Sequence, residues 1–116
     1  MEAKQKTFSD RTKFRNATNL RKGFEIIDPI FQELIGSEPT IEKHWTGCEW
    51  AEGPAFLVEN NSVVWSDVPN NRMLRYDAKT KKTYVFREPS NFSNGNSIDP
   101  NGELITCEHQ THSIVK

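Results

Sequence analysis

Cysteine, an excess of either charge and long apolar runs are what this 116-residue sequence has least of. Its two cysteines, Cys48 and Cys107, stand too far apart for a metal-knuckle spacing and are too few for a disulfide framework. They are expected to be packed thiols in a reduced compartment. Fifteen basic against sixteen acidic residues leave a formal net charge of −1, so no overall field recruits nucleic acid or an anionic membrane. No apolar run approaches a membrane span, and the early basic residues Lys4, Lys6, Arg11, Lys13 and Arg15 are followed by no apolar signal region. These absences point to a cytosolic, cytoplasmic chain with neither nucleic acid nor membrane as partner.

What is present divides into three stretches. Residues 1–23 are polar and aperiodic and read as a loose arm. Residues 24–40 hold a short helix and a linker: Asp28 suits the N-cap, Pro29 the first helical position, and Gly36 the end of the last turn, with Ile30, Phe31, Leu34 and Ile35 at helical spacing. From residue 41 to 116 the pattern is strand and turn. "FLVE", "SVVWSD", "RMLRYD" and "TYVFRE" are β-rich runs separated by turn residues, and they read as a four-stranded meander. Asp67 and Asp77 are expected to shape turns, and Asp99-Pro100-Asn101-Gly102 to form a hairpin turn. Trp45, Trp50 and Trp65 are expected in core or inter-blade packing.

A shift of 41 residues carries Leu57 onto Ile98, Asn60 onto Asn101, Val63-Val64 onto Leu104-Ile105, Asp67 onto Glu108 and Met73-Leu74-Arg75 onto Ile114-Val115-Lys116. A four-stranded unit of that length matches a β-propeller blade, so residues 54–88 are expected to form one blade and 96–116 three strands of the next. About two blades cannot close a ring, since a propeller needs about four or more. The chain is therefore expected to be a fragment, truncated in its second blade.

The same shift places Glu52 one residue from the position matching Asn94. In a propeller, residues just before the first strands of successive blades face one central channel, so a carboxylate and an amide oxygen would converge there. Hard cations such as Ca2+ are held by such oxygens. Taken alone, Glu-Gly-Pro is more often a turn than a ligand; the repeat favours the ligand. Of Glu108 and His109, adjacent on a strand, only one can reach the channel. Cys107 reads as a strand thiol rather than a nucleophile.

"WAEGPAF", "VVWSDVPNNRMLRYD" and "FSNGNSIDPNGELITCEH" together resemble the gluconolactonase, senescence-marker-protein and luciferin-regenerating-enzyme family. The resemblance implies an all-β chain: about two blades of a six-bladed β-propeller, preceded by a short helix. It implies a divalent metal, usually Ca2+, with Mg2+, Mn2+ or Zn2+ as alternatives, in the channel of an enzyme that hydrolyses sugar lactones. Glu52 matches the family's first metal ligand. Asn94 matches an asparagine that touches metal in some members and substrate in others, and His109 falls at a pocket-lining position. Phe92 stands where some members carry a basic residue, which separates this chain from their sugar preference. The remaining ligands and the main acid/base group would lie beyond Lys116, in the missing C-terminal blades, so the fragment alone is expected to be inactive. A non-enzymatic binding propeller is the alternative reading.

Overall fold

A computed structural model describes Phe24 and residues 28–116. Its contacts divide the chain after Lys43, and the expected N-terminal arm lies outside the described residues. In the first unit, helix α1 spans Pro29–Ile35. Asp28 Oδ1 accepts the Ile30 N–H at 2.9 Å, as an N-cap does, and Gly36 leaves the helix at φ 73°, the left-handed conformation that glycine adopts at least cost. The tilted rings of Phe24 and Phe31 lie 6.4 Å apart.

The second unit holds two antiparallel meanders. Strands β1 (Ala51–Leu57), β2 (Ser62–Asp67), β3 (Arg72–Asp77) and β4 (Lys82–Arg87) form one sheet in chain order. Strands β5 (Ser93–Ile98), β6 (Leu104–Glu108) and β7 (Ser113–Val115) form the other. The strand count of each expected blade is met, but both first strands begin three residues earlier than expected, so Glu52 and Asn94 lie within β1 and β5 rather than just before them. Strand β5 packs against β1 and β2. The alternation of the strands turns Ala55, Leu57 and Val64 toward the second sheet, where Ile98 and Leu104 pack against them.

The opposite face of the first sheet is crossed by the segment from His44 to Trp50. The His44 ring stacks on Tyr76 at 3.9 Å, and its carbonyl accepts the Thr83 hydroxyl at 3.2 Å. Trp65 Nε1 donates to Cys48 Sγ at 3.4 Å and Arg72 Nη2 to the Gly47 carbonyl at 3.0 Å. Cross-strand pairing puts Trp65, Asp67, Arg72, Tyr76 and Thr83 on one face, and the strap is sewn to that face.

Strand pairing also corrects the repeat. Ala55 pairs with Val64 as Ser97 pairs with Ile105, so β2 and β6 repeat at 41 residues but β1 and β5 at 42. The reason is a hairpin one residue longer in the first sheet: Leu57 opposes Ser62 across residues 58–61, whereas the Asp99 N–H meets the Glu103 carbonyl across 100–102. Phe56, not Leu57, is thus the counterpart of Ile98. The counterpart of Glu52 is Asn94 itself.

Two further expectations change. Cys107 is exposed rather than packed, because alternation turns it away from the face that buries Thr106 and Glu108. Trp50 is 60% exposed, lying ahead of β1 rather than in the core.

Candidate functional site

The first strand of each sheet carries a bulge at its start. The registers of β1 against β2 and of β5 against β6 each slip once, between Glu52 and Ala55 and between Ser93 and Asn96. A bulge bends the strand and redirects side chains, which is why such features sit beside functional sites. The two bulges meet. Gly53, at φ 57°, lies so close to the second sheet that a Cβ there would fall 2.3 Å from the Asn94 carbonyl oxygen and 2.8 Å from the Asn96 nitrogen. No other residue tolerates both that φ and that approach. The peptide after Glu52 is thereby held against the peptide of Asn94.

Asn96 joins the bulges through its side chain. Its Nδ2 donates to the Gly53 carbonyl at 2.8 Å and to Ser66 Oγ at 3.0 Å, with the Asn94 carbonyl at 3.3 Å, while Thr106 Oγ1 donates to its Oδ1 at 2.8 Å. Buried Ser66 and Ser93 share a hydroxyl–hydroxyl bond of 2.9 Å across the sheets. Nothing in the sequence points to this cluster, since two of its acceptors are backbone carbonyls.

Glu52 is half-buried, and its Oε1 accepts the Trp50 indole N–H at 2.7 Å. Among the described residues it has no cationic partner. The Asn94 side chain is half-buried, with no hydrogen bond to the described residues. His109 lies in the turn after β6 rather than on the strand, exposed, and its N–H reaches the Phe92 carbonyl at 3.3 Å, as the Val68 N–H reaches that of Trp50 at 3.1 Å. Trp50 and Phe92 are therefore equivalent, each an exposed aromatic two residues before its polar partner. Asn91 and Phe92 both adopt positive φ, at 55° and 51°, a strained pair held by Asn71 Oδ1, which accepts the Phe92 N–H at 2.8 Å and the Ser90 N–H at 3.1 Å.

The carboxylates at the ends of β2 and β6 serve structure. Asp67 Oδ1 accepts the Glu49 and Trp50 N–H groups at 3.0 and 3.3 Å, and its Oδ2 accepts Asn70 Nδ2 and Arg72 Nε, both at 2.9 Å. Burial alone would raise its pKa, but the bonds from Asn70, Arg72, Trp50 and Glu49 outweigh it and hold the carboxyl below its ordinary 3.8. Glu108 accepts Thr111 Oγ1 at 2.7 Å, Asn91 Nδ2 at 2.8 Å and Arg87 Nη2 at 2.5 Å, and these bonds hold it below its ordinary 4.5. Glu108 is thus occupied, leaving the neighbouring His109 exposed. Asp77 and Asp99 cap turns, each accepting two backbone N–H groups, with Thr80 and Glu103 respectively the main cause of their lowered pKa values.

A cleft of about 720 Å3 opens between the sheets, lined by residues including Met73, Phe86, Arg87, Leu104 and Glu108, and it includes none of Glu52, Asn94 or His109. Among the described residues, no three His, Cys, Asp or Glu side chains come together as a metal set. The donors at the paired bulges are a carboxylate and an amide, both oxygen ligands suited to a hard cation and too few to complete its shell.

A four-stranded antiparallel meander followed by three strands of a second, packed on it through its inner strand, has the architecture of successive β-propeller blades. Residues 50–116 match the family model described as the SMP-30/Gluconolactonase/LRE-like region, and the chain belongs to that family. A gluconolactonase of Zymomonas mobilis subsp. mobilis is 26% identical over 102 residues, covering 76% of this chain and 28% of the relative. A solved gluconolactonase structure from Xanthomonas campestris is 31% identical with a TM-score of 0.58, covering 61% of this chain and 23% of that one. The chain therefore spans about a quarter of the length of the relatives it matches.

Proposed function

We propose that this chain supplies one blade and part of the next of a metal-dependent hydrolase of sugar lactones, with Glu52 and Asn94 contributing to a divalent-cation site. The observation that supports the reading is the meeting of the two bulges, where the backbone at Gly53, next to Glu52, lies against the backbone of Asn94, the repeat counterpart of Glu52. Ca2+ suits these hard oxygen donors, with Mg2+, Mn2+ or Zn2+ as substitutes. When bound, the cation supplies Lewis-acid polarisation of the lactone carbonyl. Trp50 steadies one oxygen of Glu52 and leaves the other for the ion. Asn94 and His109 contact the sugar hydroxyls or the carbonyl, and Phe92 presents an apolar edge to the ring. A cytosolic location accords with the free thiols of Cys48 and Cys107.

Ca2+ takes about six to eight oxygens, and two donors leave the shell open. The 116-residue chain alone is therefore expected to bind Ca2+ weakly and to lack lactonase activity, whereas a complete propeller containing it hydrolyses an aldonolactone. The test is acid release from gluconolactone in a pH-stat, with and without chelator and corrected for spontaneous hydrolysis, using wild type and Glu52→Gln. The variant keeps the shape but loses the ligand charge, so affinity and turnover should both fall. Full activity in chelator would overturn the metal reading. A complete propeller inert toward a lactone panel would make the protein a binding module instead.

A further inference from the structure

We infer that Asn96 is the positioning residue of the Glu52–Asn94 pair: its side-chain amide clamps the two bulges and sets the spacing at which the pair can share one cation. This rests on the metal reading of that pair. The geometry carries it. The amide nitrogen faces the Gly53 carbonyl, which follows Glu52 directly, and the carbonyl of Asn94 itself. Those oxygens only accept, so the amide must present its N–H groups to them and its carbonyl to the Thr106 hydroxyl. One side chain thus satisfies the main chain beside each proposed ligand and is itself locked by β6. The Ser66–Ser93 bond ties the same two bulges from within.

Neither carboxylate nor aliphatic side chain can replace it. An aspartate would set negative oxygen against two carbonyls, and a leucine would leave both without their donor. Because loss of such an outer-shell partner typically lowers metal affinity by about tenfold to a hundredfold, Asn96→Leu should do so in the complete propeller. The measurement is calorimetric titration with Ca2+ at a temperature where circular dichroism shows each variant folded. Thr106→Val and Ser66→Ala, which leave the clamp in place but loosen it, should lower affinity about threefold. Ser62→Ala should leave it unchanged, because the buried Ser62 hydroxyl has no hydrogen-bond partner among the described residues. A stability role alone would lower the melting temperature without changing the affinity of the folded variant.

Wild-type affinity in folded Asn96→Leu overturns the clamp. Should that variant fail to fold, wild-type affinity in both Thr106→Val and Ser66→Ala overturns it instead. Glu52→Gln separates the two readings: if it binds Ca2+ like wild type, the metal reading fails. If it loses binding while the clamp variants keep theirs, only the clamp fails.

Discussion

The two sheets carry a carboxylate at the same repeat position, Asp67 and Glu108, and use it for different tasks. Asp67 binds the strap at Glu49 and Trp50 and the cation of its own β3, Arg72. The position equivalent to Arg72 is Ser113, which bonds Thr111 instead. Glu108 takes its cation from across the inter-sheet gap, as Arg87 of β4. Their nearest turn partners correspond, Asn70 to Asp67 and Thr111 to Glu108. Both carboxylates therefore hold their own sheet's entry segment, Glu108 through Asn91 Nδ2, but only Glu108 also rivets the two sheets together. Repetition in sequence preserves the hydrogen-bonding task of closing the turn, while the source of the positive charge is free to change.

The sharpest way to break the equivalence is at the paired glycines. Gly53→Ala drives a Cβ into backbone atoms at a positive φ and should cost about 4 kcal/mol, from the left-handed penalty together with the steric shift. Gly95→Ala places its Cβ 4.0 Å from Cys107 Sγ, an ordinary contact, and should cost less than about 1 kcal/mol. Urea unfolding of both variants measures the asymmetry, and equal losses would show that the bulges are not packed as described.

Next in size are the carboxylates themselves. Asp67→Ala leaves four donors without their acceptor and should cost about 3 kcal/mol, read as a lowered urea midpoint. Glu108→Gln keeps some of its bonds and should cost less. Its loss should appear as faster amide exchange in β5–β7 than in β1–β3.

The pH dependence sharpens the same pair. Both carboxyls have lowered folded-state pKa values, so their stabilisation is complete above the ordinary carboxyl range. It is lost as pH falls below 4.5 for Glu108 and 3.8 for Asp67 toward the lower folded values. Urea midpoints should therefore fall from pH 6 into that acid range, and Asp67→Asn should flatten part of the descent. The smallest effect belongs to Cys107→Ser, at an exposed position, where stability should change by less than about 0.5 kcal/mol and lactone hydrolysis by the complete propeller should be unchanged.

The strands, the turn aspartates and the helix with its Asp28 and Gly36 ends were legible in the sequence because their causes are local: alternation, side-chain caps and positive φ. The inner-strand repeat was legible only to within one residue, since an extra residue in a hairpin shifts one strand and leaves the next in phase. The strap was not legible, because the partners of His44, Gly47 and Cys48 lie on three different strands. Nor was Asn96, whose partners become neighbours only when two sheets stack. Glu52, Asn94 and Gly53 drew attention through a short motif and a repeat. That Gly53 bears on Asn94 across the sheets, however, is a property of packing.

The hairpin at residues 58–61 leads away from the end of β1 that carries the bulge, and Glu59 and Asn60 are both exposed at its tip. The second sheet already manages with one residue fewer there, and its inner strand still reaches the same meeting point. For anyone wishing to follow this protein by fluorescence or to capture it on a surface, that tip is the attachment point to choose. A tag peptide spliced between Glu59 and Asn60 would trail into solvent while the ladder behind it stayed in step.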